Sequence, residues 1–263
     1  MLYVSDMGSP LVHIATSSDG AVRTVTLDRP ERRNALNPDM LDQLTAAFSA
    51  DPPGDERVTV IRAEGPSFCS GVDLKERLAN GLATSSDAIE HMLDAVQNYP
   101  LPVLGVVHGD AIAGGNELAL HCDLVVASTS ARFGMSLAQI GLAPTWFLAK
   151  KILEVGGPVF AREMLLLGDP VGAQRMADLG LILRAVAPES LDEAAQALTD
   201  RLASNAPLSL RAMKGMLTRQ MAFRDGIDHA DVDALVRTAR RSDDAKEGIS
   251  ARLERRQPTF KGA

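Results

Sequence analysis

The stretch AIAGGNELALHCD, residues 111–123, places two adjacent glycines in a small, apolar run and a glutamate two residues after them. A Gly-Gly pair permits a tight turn from a strand into a helix, and a carboxylate in the first turn of a helix is stabilised by the helix dipole. The same helix start presents N–H donors to a negative charge, and a carboxylate beside it is able to transfer a proton. Taken alone, the stretch leaves the structural and the catalytic interpretation open.

The segments around this stretch alternate between strand and helix patterns. Helix patterns cover NPDMLDQLTAAFSA (37–50), with Asn37 as N-cap and Pro38 at the first helical position, AIEHMLDAVQNY (88–99) and NELALHC (116–122). Strand patterns cover VRTVTLDRP (22–30), RVTVIRAEG (57–65), LPVLGVVHG (101–109) and DLVVAS (123–128). Strands alternating with helices predict an α/β architecture with crossover connections.

The remainder of the chain is predicted to be mostly helical. From Pro144 onward strand signals nearly vanish, and helical patterns cover residues 157–168, 171–180, 190–205 and 207–223. The charged segment KERLANGLATSSD (75–87) predicts a mobile loop or a helix. The first ten residues predict a loose tail.

Composition excludes several classes of function. The 263 residues carry a net charge of −7, so no global basic field attracts nucleic acid or an anionic membrane. The five histidines and two cysteines lack metal-ligand or disulfide spacing, which predicts no metal site and a reducing compartment. No apolar run approaches the length of a membrane span, and the expected location is the cytoplasm.

Five motifs follow one another along the chain: LDRPERRNALN (27–37), GPSFCSGVDLKE (65–76), PVLGVVHGDAIAGGNELALHCDLVVAS (102–128), ARFGMSLAQIGLAP (131–144) and EGISARLERRQPTFKG (247–262). Together they resemble the enoyl-CoA hydratase/isomerase family, the crotonase superfamily. Each motif is weak alone, but five in the correct order and spacing are specific, and they cover the chain from about Val22 to Gly262.

The resemblance implies an α/β fold with a crotonase-like spiral of ββα units carrying two roughly perpendicular sheets. It divides the chain into a flexible N-terminal tail (1–10), a spiral core (11–200) and a C-terminal helical region (201–263) that mediates trimer contacts. A homotrimer or a dimer of trimers is the expected assembly.

The resemblance also implies an oxyanion hole formed by the backbone amides of Val72 and Gly114. Two such donors stabilise the negative charge that develops on a thioester carbonyl oxygen. Gly71 and Gly114 allow the backbone to approach a ligand closely. Glu117 aligns with the first of two catalytic glutamates in hydratases of the family, which makes a catalytic role more plausible for it than a purely structural one.

Coenzyme A enters as part of the thioester substrate, and no separate cofactor is expected. Because coenzyme A is polyanionic, basic side chains should bind it, although any one of them alone is more often a solvated surface charge. The family supplies its contacts from three segments, which here contain Arg32, Arg33, Ala35, Asp73, Lys75, Arg255, Arg256 and Lys261.

Leu137 departs from the family pattern, because it stands where hydratases carry the second glutamate. Leucine exchanges no protons, so the two-carboxylate mechanism lacks one member. Trp146 and Phe147 replace a small, Gly-rich run and should reshape the acyl pocket together with Leu137, and Ala113 stands where the family often has glycine. Nearby substitutes for the missing acid are few, namely Ser136, Thr145, His108 and His121, and none has a pattern that assigns it the role.

The leading interpretation is an enoyl-CoA hydratase that uses Glu117 as its acid and base. One alternative is a double-bond isomerase in which Glu117 alone moves a proton between the α and γ carbons. The other is a protein that binds acyl-CoA without turnover, which the replacement by Leu137 motivates.

Overall fold

The computed structural model describes residues 10–79 and 87–262, which form a mixed α/β fold with two sheets. The predicted tail therefore lies outside the described residues except for the exposed Pro10, as do residues 80–86 of the predicted loop. The strands are β1 Val12–Thr16, β2 Val22–Leu27, β3 Val58–Ala63, β4 Val103–Val107, β5 Ala111–Ile112, β6 Leu124–Ser128, β7 Arg132–Gly134, β8 Val171–Gly172 and β9 Arg184–Val186. The helices are α1 Pro38–Ser49, α2 Leu74–Ala79, α3 Asp87–Asn98, α4 Gly114–His121, α5 Trp146–Arg162, α6 Ala173–Asp178, α7 Leu191–Ala203, α8 Pro207–Met221, α9 Ala230–Arg241 and α10 Asp243–Glu254.

The larger sheet has the order β1-β2-β3-β4-β6-β9. Strands β2 to β9 of this sheet pair in parallel, and only the edge strand β1 pairs antiparallel to its neighbour. Every residue of β4 is buried, as expected for a central parallel strand with both faces covered. The four strands predicted from alternation and β-branched residues are β2, β3, β4 and β6, so these predictions are confirmed.

The smaller sheet, β5-β7-β8, receives the chain after β4 and again after β6. Strand β4 is followed by β5 and then by α4, whereas β6 is followed by β7. This alternation between the two sheets places α4, and with it the Gly-Gly stretch, at their junction.

Helix α1 begins as its sequence predicts. The side chain of Asn37 accepts a hydrogen bond from the Met40 amide at 3.0 Å, and Pro38 occupies the first turn. The apolar face of the helix, which includes Leu44 and Phe48, is buried in the main core. The cap therefore fixes where the chain turns after the segment that contains Arg32 and Arg33.

The last third of the chain is mainly helical, and its end packs against the core. Ala245 and Ile249 of α10 form a buried apolar cluster with Ile140 and Leu142. Helix α7 continues across residue 200, so the predicted boundary between core and helical region falls within one helix. Across the described residues, no helix is both long and apolar enough to span a membrane.

Candidate active site

The backbone amide of Val72 points away from Leu36, the residue with which Val72 pairs. Leu36 pairs with Val72 through two hydrogen bonds, one from its own amide to the Gly71 carbonyl (2.8 Å) and one from the Asp73 amide to the Leu36 carbonyl (2.9 Å). In a parallel pairing of this kind, the N–H of the central residue points to the opposite side. Gly71 adopts a φ of +86°, and a Cβ at this position would lie 3.1 Å from the Gly114 nitrogen. The Val72 segment and the start of α4 are thus in contact.

The start of α4 is held in place by unusually close backbone packing. A Cβ on Gly115 would lie 2.1 Å from the carbonyl oxygen of Cys69, so only glycine fits there. Ala113 precedes the helix at φ 49° and ψ −114°, and its amide donates to the Gly134 carbonyl at 2.7 Å. This backbone conformation disfavours a Cβ, so the alanine stores strain at the turn that presents the Gly114 amide.

A single cavity of about 890 Å³ contains both predicted oxyanion donors in its wall. Its volume lies in the range of small-molecule sites. Val72 and Gly114 line it together with Leu137, the residue at the position of the missing second glutamate. The structure therefore brings these three predicted site residues together.

Several of the predicted coenzyme A contacts line the same cavity, although the C-terminal ones are divided. Those in the wall are Arg32, Arg33, Ala35, Asp73, Lys75 and Arg255.

Two predicted contacts from the C-terminal segment do not line this cavity. Arg256 is instead held by ion pairs with Glu247 and Glu254 on the exposed side of α10. Lys261 is exposed, and its backbone amide donates to Asp244 at 2.7 Å. Their assignment to coenzyme A remains a prediction.

Arg29, which the sequence motifs did not single out, connects the two segments that supply these contacts. It is buried, and it donates to the Ala35 carbonyl (2.9 Å), to Asp73 (2.9 Å) and to Glu76 (3.1 Å). Asp73 also accepts from the Lys75 amide at 3.0 Å, and these hydrogen bonds and the Arg29 charge hold its pKa below the usual value although burial opposes them. The Asp73 side chain therefore orders the loop, and its charge is already neutralised. The only sequence signal for Arg29 was its place at the end of a predicted strand.

Glu117 lies one helical turn after Gly114, so both residues share one face of α4. The side chain is fully buried, and neither carboxyl oxygen has a hydrogen-bond partner among the described residues. Burial raises the pKa of Glu117 well above its usual value, and the charge of Lys151 opposes this shift in part. Glu117 is not itself in the wall of the cavity. An isolated buried carboxyl with a raised pKa is typical of a group that transfers protons.

His121 lies beside the carboxyl of Glu117, and the charge of Lys151, which neighbours Glu154, acts on it. His121 Nδ1 donates to the Glu117 carbonyl at 2.7 Å and lies 3.7 Å from the carboxyl Oε2. Burial and the charge of Lys151 lower the pKa of His121, so its ring is neutral near pH 7. The Lys151 Nζ lies 3.6 Å from Glu154, and burial lowers the pKa of Lys151 although Glu154 and Glu117 counteract it. No sequence pattern indicated Lys151 or Glu154.

Trp146 and Phe147 do not line the cavity that contains Leu137. They line a second cavity of about 1050 Å³. The indole of Trp146 stacks on the ring of His229, with centroids 4.7 Å apart, and Phe147 stacks on His121 at 5.4 Å. The structure thus does not bring the three predicted acyl-pocket residues into one wall. Phe147 instead packs against the ring of His121, which lies beside the carboxyl of Glu117.

The four polar residues considered as substitutes for the second acid lie in different parts of the structure. Thr145 caps α5 by accepting from the Leu148 amide, and His108 contacts the Gly65 carbonyl at 2.8 Å. Ser136 is buried and lines the cavity beside Leu137. Of these four residues, only Ser136 and His121 therefore lie beside the predicted site residues. Neither side chain has the acid–base chemistry of a carboxylate.

Comparison with known proteins gives one consistent result. The profile of the family described as Enoyl-CoA hydratase/isomerase matches residues 17–263. A probable enoyl-CoA hydratase of Rhodobacter capsulatus is 36% identical over 251 residues, which cover 90% of this chain and 93% of that protein. An (E)-benzylidenesuccinyl-CoA hydratase of Thauera aromatica is 35% identical over 257 residues, with 92% and 96% covered.

A solved structure supports the same grouping. The crystal structure of an enoyl-CoA hydratase from Mycobacterium smegmatis is 32% identical, covers 96% of this chain and 99% of that one, and superimposes with a TM-score of 0.74. The fold is therefore the crotonase fold that the motifs predicted, and the resemblance is confirmed. The chain belongs to the enoyl-CoA hydratase/isomerase family.

Proposed function

We propose that the protein adds water to a 2-enoyl-CoA thioester, with the amides of Val72 and Gly114 as oxyanion donors and Glu117 as acid and base. The observation that carries the proposal is that Val72 and Gly114 line one cavity and that Gly114 begins the turn of α4 that holds an isolated buried carboxyl. Basic side chains at the same cavity, among them Arg32 and Lys75, supply positive charge for the phosphates of coenzyme A.

One carboxylate is sufficient for the proton balance of hydration. Ionised Glu117 accepts a proton from water while the water oxygen bonds to the β carbon. The electron pair of the double bond moves to the thioester carbonyl oxygen, where the two amides stabilise it. The protonated carboxyl of Glu117 then returns the proton to the α carbon, which restores the carbonyl and the ionised carboxylate. Because Glu117 lies behind the wall of the cavity, substrate binding must open a passage beside Gly114.

The second candidate function is isomerisation of a 3-enoyl-CoA to a 2-enoyl-CoA. Leu137 favours it, because this apolar side chain lines the cavity at the position where a second carboxylate would assist water. Glu117 would remove a proton from the α carbon and return it to the γ carbon, with the same two amides holding the negative charge on the carbonyl oxygen. This reaction requires no water in the cavity.

Product mass separates the two reactions. Hydration of a 2-enoyl-CoA raises the mass by one water and abolishes the absorbance of the conjugated thioester, whereas isomerisation of a 3-enoyl-CoA leaves the mass unchanged and creates that absorbance. We expect hydration by the wild type and its loss in Glu117→Gln. Binding of the thioester with neither product would refute both activities and leave a binding protein. The trimeric assembly and the cytoplasmic location stay predictions.

A further inference from the structure

Arg77 and Arg240 place two guanidinium groups at the wall of the cavity that contains the oxyanion donors. Arg77 belongs to α2, which begins two residues after Val72, and Arg240 lies near the end of α9. Burial lowers the pKa of Arg77, and the nearby positive charge of Arg240 lowers it further. The positive charges of the two residues therefore oppose each other in the wall of one cavity.

The described residues neutralise this pair of cations only in part. The Nε of Arg77 is buried and has no hydrogen-bond partner among them, and the Nε of Arg240 donates to the Ala143 carbonyl at 3.2 Å. Glu90 provides an opposing charge for Arg240, and residues 80–86, which follow α2, contain no acidic residue. Two partly buried guanidinium groups with one opposing carboxylate are unfavourable unless an anion joins them.

Three of the five acidic residues that line the cavity are already paired with an arginine, and the other two, Glu31 and Asp42, belong to the segment before α1 and to α1 itself. Asp73 and Glu76 both form ion pairs with Arg29. Asp110 forms a bidentate pair with Arg132, with N–O distances of 2.9 and 2.7 Å. None of these three carboxylates is available to balance Arg77 and Arg240.

Arg77 also faces away from the basic residue assigned to coenzyme A on the same helix. Lys75 precedes it by two positions, and consecutive helical residues are about 100° apart, so the two side chains leave α2 on nearly opposite sides. Lys75 is exposed, whereas Arg77 is partly buried. Arg77 and Lys75 therefore line the same cavity but leave α2 in different directions.

We propose that Arg77 and Arg240 bind a second carboxylate on the acyl group, so that the substrate is the CoA thioester of a dicarboxylic acid. This inference rests on the proposed function, because it assumes that the thioester carbonyl lies at Val72 and Gly114. A guanidinium group matches a carboxylate geometrically and forms paired, charge-assisted hydrogen bonds with it. Arg77 follows Val72 by five residues and lines the same cavity, so an acyl chain whose thioester carbonyl lies at the oxyanion donors can extend toward it.

Calorimetric binding of matched, unreactive thioesters tests the inference without relying on turnover. The pairs are glutaryl-CoA with pentanoyl-CoA and adipoyl-CoA with hexanoyl-CoA, which have equal chain lengths and differ at the terminal carboxylate. We expect the wild type to bind the dicarboxylic member of at least one pair about tenfold more tightly or better. Equal affinities in both pairs would overturn the inference alone, whereas no binding of any thioester would overturn the proposed function and the inference with it.

Variants identify the groups responsible for the preference. Arg77→Gln and Arg240→Gln should each reduce the preference while leaving the affinity for the monocarboxylic thioester nearly unchanged. The matched control Lys75→Gln, on the opposite side of α2, should weaken both members of a pair equally. A preference that persists in the double variant Arg77→Gln/Arg240→Gln, with folding verified by circular dichroism, would contradict the assignment.

Discussion

Two buried carboxyl groups of this protein should respond in opposite ways to the same substitution, glutamate to glutamine. Glu117 has no hydrogen-bond partner for either oxygen among the described residues. Glu56 is equally buried but accepts from Thr59 and Tyr99, the latter at 2.9 Å, and lies 3.4 Å from the Arg23 Nε. The first carboxyl is poorly stabilised by its surroundings, whereas both oxygens of the second accept hydrogen bonds and a buried arginine opposes its charge.

The expected effect of Glu117→Gln on stability depends on pH. The pKa of Glu117 is raised by folding, so the folded state binds this proton more tightly than the unfolded state. The free energy of unfolding of the wild type therefore falls by up to about 1.4 kcal/mol for each pH unit above the unfolded pKa of about 4.3, until the folded pKa is reached. Because glutamine does not titrate, the variant should gain stability relative to the wild type as the pH rises from 5 to 8.

Glu56→Gln should instead destabilise the protein. It removes the charge that opposes the buried Arg23, and an uncompensated buried charge costs about 3 kcal/mol.

The two substitutions should also differ in their effect on turnover. Removing a general acid and base lowers kcat by roughly 10²- to 10⁴-fold, so Glu117→Gln should be nearly inactive, whereas Glu56→Gln should retain the kcat of the wild type per folded molecule.

Urea unfolding followed by circular dichroism at pH 5 and pH 8, combined with turnover of a 2-enoyl-CoA, measures both effects. The reasoning would be refuted if Glu117→Gln lost stability relative to the wild type between pH 5 and pH 8. It would also be refuted if Glu117→Gln kept its turnover, or if folded Glu56→Gln lost it.

Three further predictions concern the surroundings of the same site. Lys151→Met removes a positive charge that lowers the pKa of Glu117. The acidic limb of the profile of kcat/KM against pH should therefore move to higher pH. An unchanged limb would exclude Glu117 as the base. Gly115→Ala places a Cβ 2.1 Å from the Cys69 carbonyl oxygen, and thermal unfolding should show a loss of about 1–3 kcal/mol, whereas an unchanged Tm would mean that the backbone there relaxes freely. Lys75→Ala should raise KM for the thioester at constant kcat in steady-state assays, because a phosphate contact is the same in the ground state and the transition state; a lower kcat would place Lys75 in the chemistry instead.

The sequence predicted those elements whose local signals are strong. The alternation in residues 22–30 and the β-branched run in residues 57–65 correspond to β2 and β3, and Asn37 caps α1 as expected. Strands β5 and β8 contain two residues each, which is too short for a period of two to appear. The resemblance, rather than periodicity, led to the second sheet.

Site residues that belong to sequence motifs were predictable, whereas contacts that depend on tertiary packing were not. The motifs singled out Val72, Gly114 and Leu137, and these three residues line one cavity of the structure, whereas their roles stay predictions. They did not indicate that Trp146 stacks on His229, because that contact joins the start of α5 to the segment before α9. The link formed by Arg29 likewise depends on tertiary packing, since its partner Asp73 lies 44 positions away in the chain.

Hydrogen exchange at the α carbon tests the central claim most directly, because both candidate reactions move a proton there while the amides of Val72 and Gly114 hold the carbonyl oxygen. The measurement is the incorporation of deuterium from D₂O at the α carbon of either a 2-enoyl-CoA, which receives it on hydration, or a 3-enoyl-CoA, which exchanges it before isomerisation, followed by mass spectrometry for the wild type and Glu117→Gln. The account predicts deuterium at the α carbon with the wild type and none above the uncatalysed rate with the variant. Bound thioester without exchange in the wild type, or equal exchange by the two proteins, would contradict it.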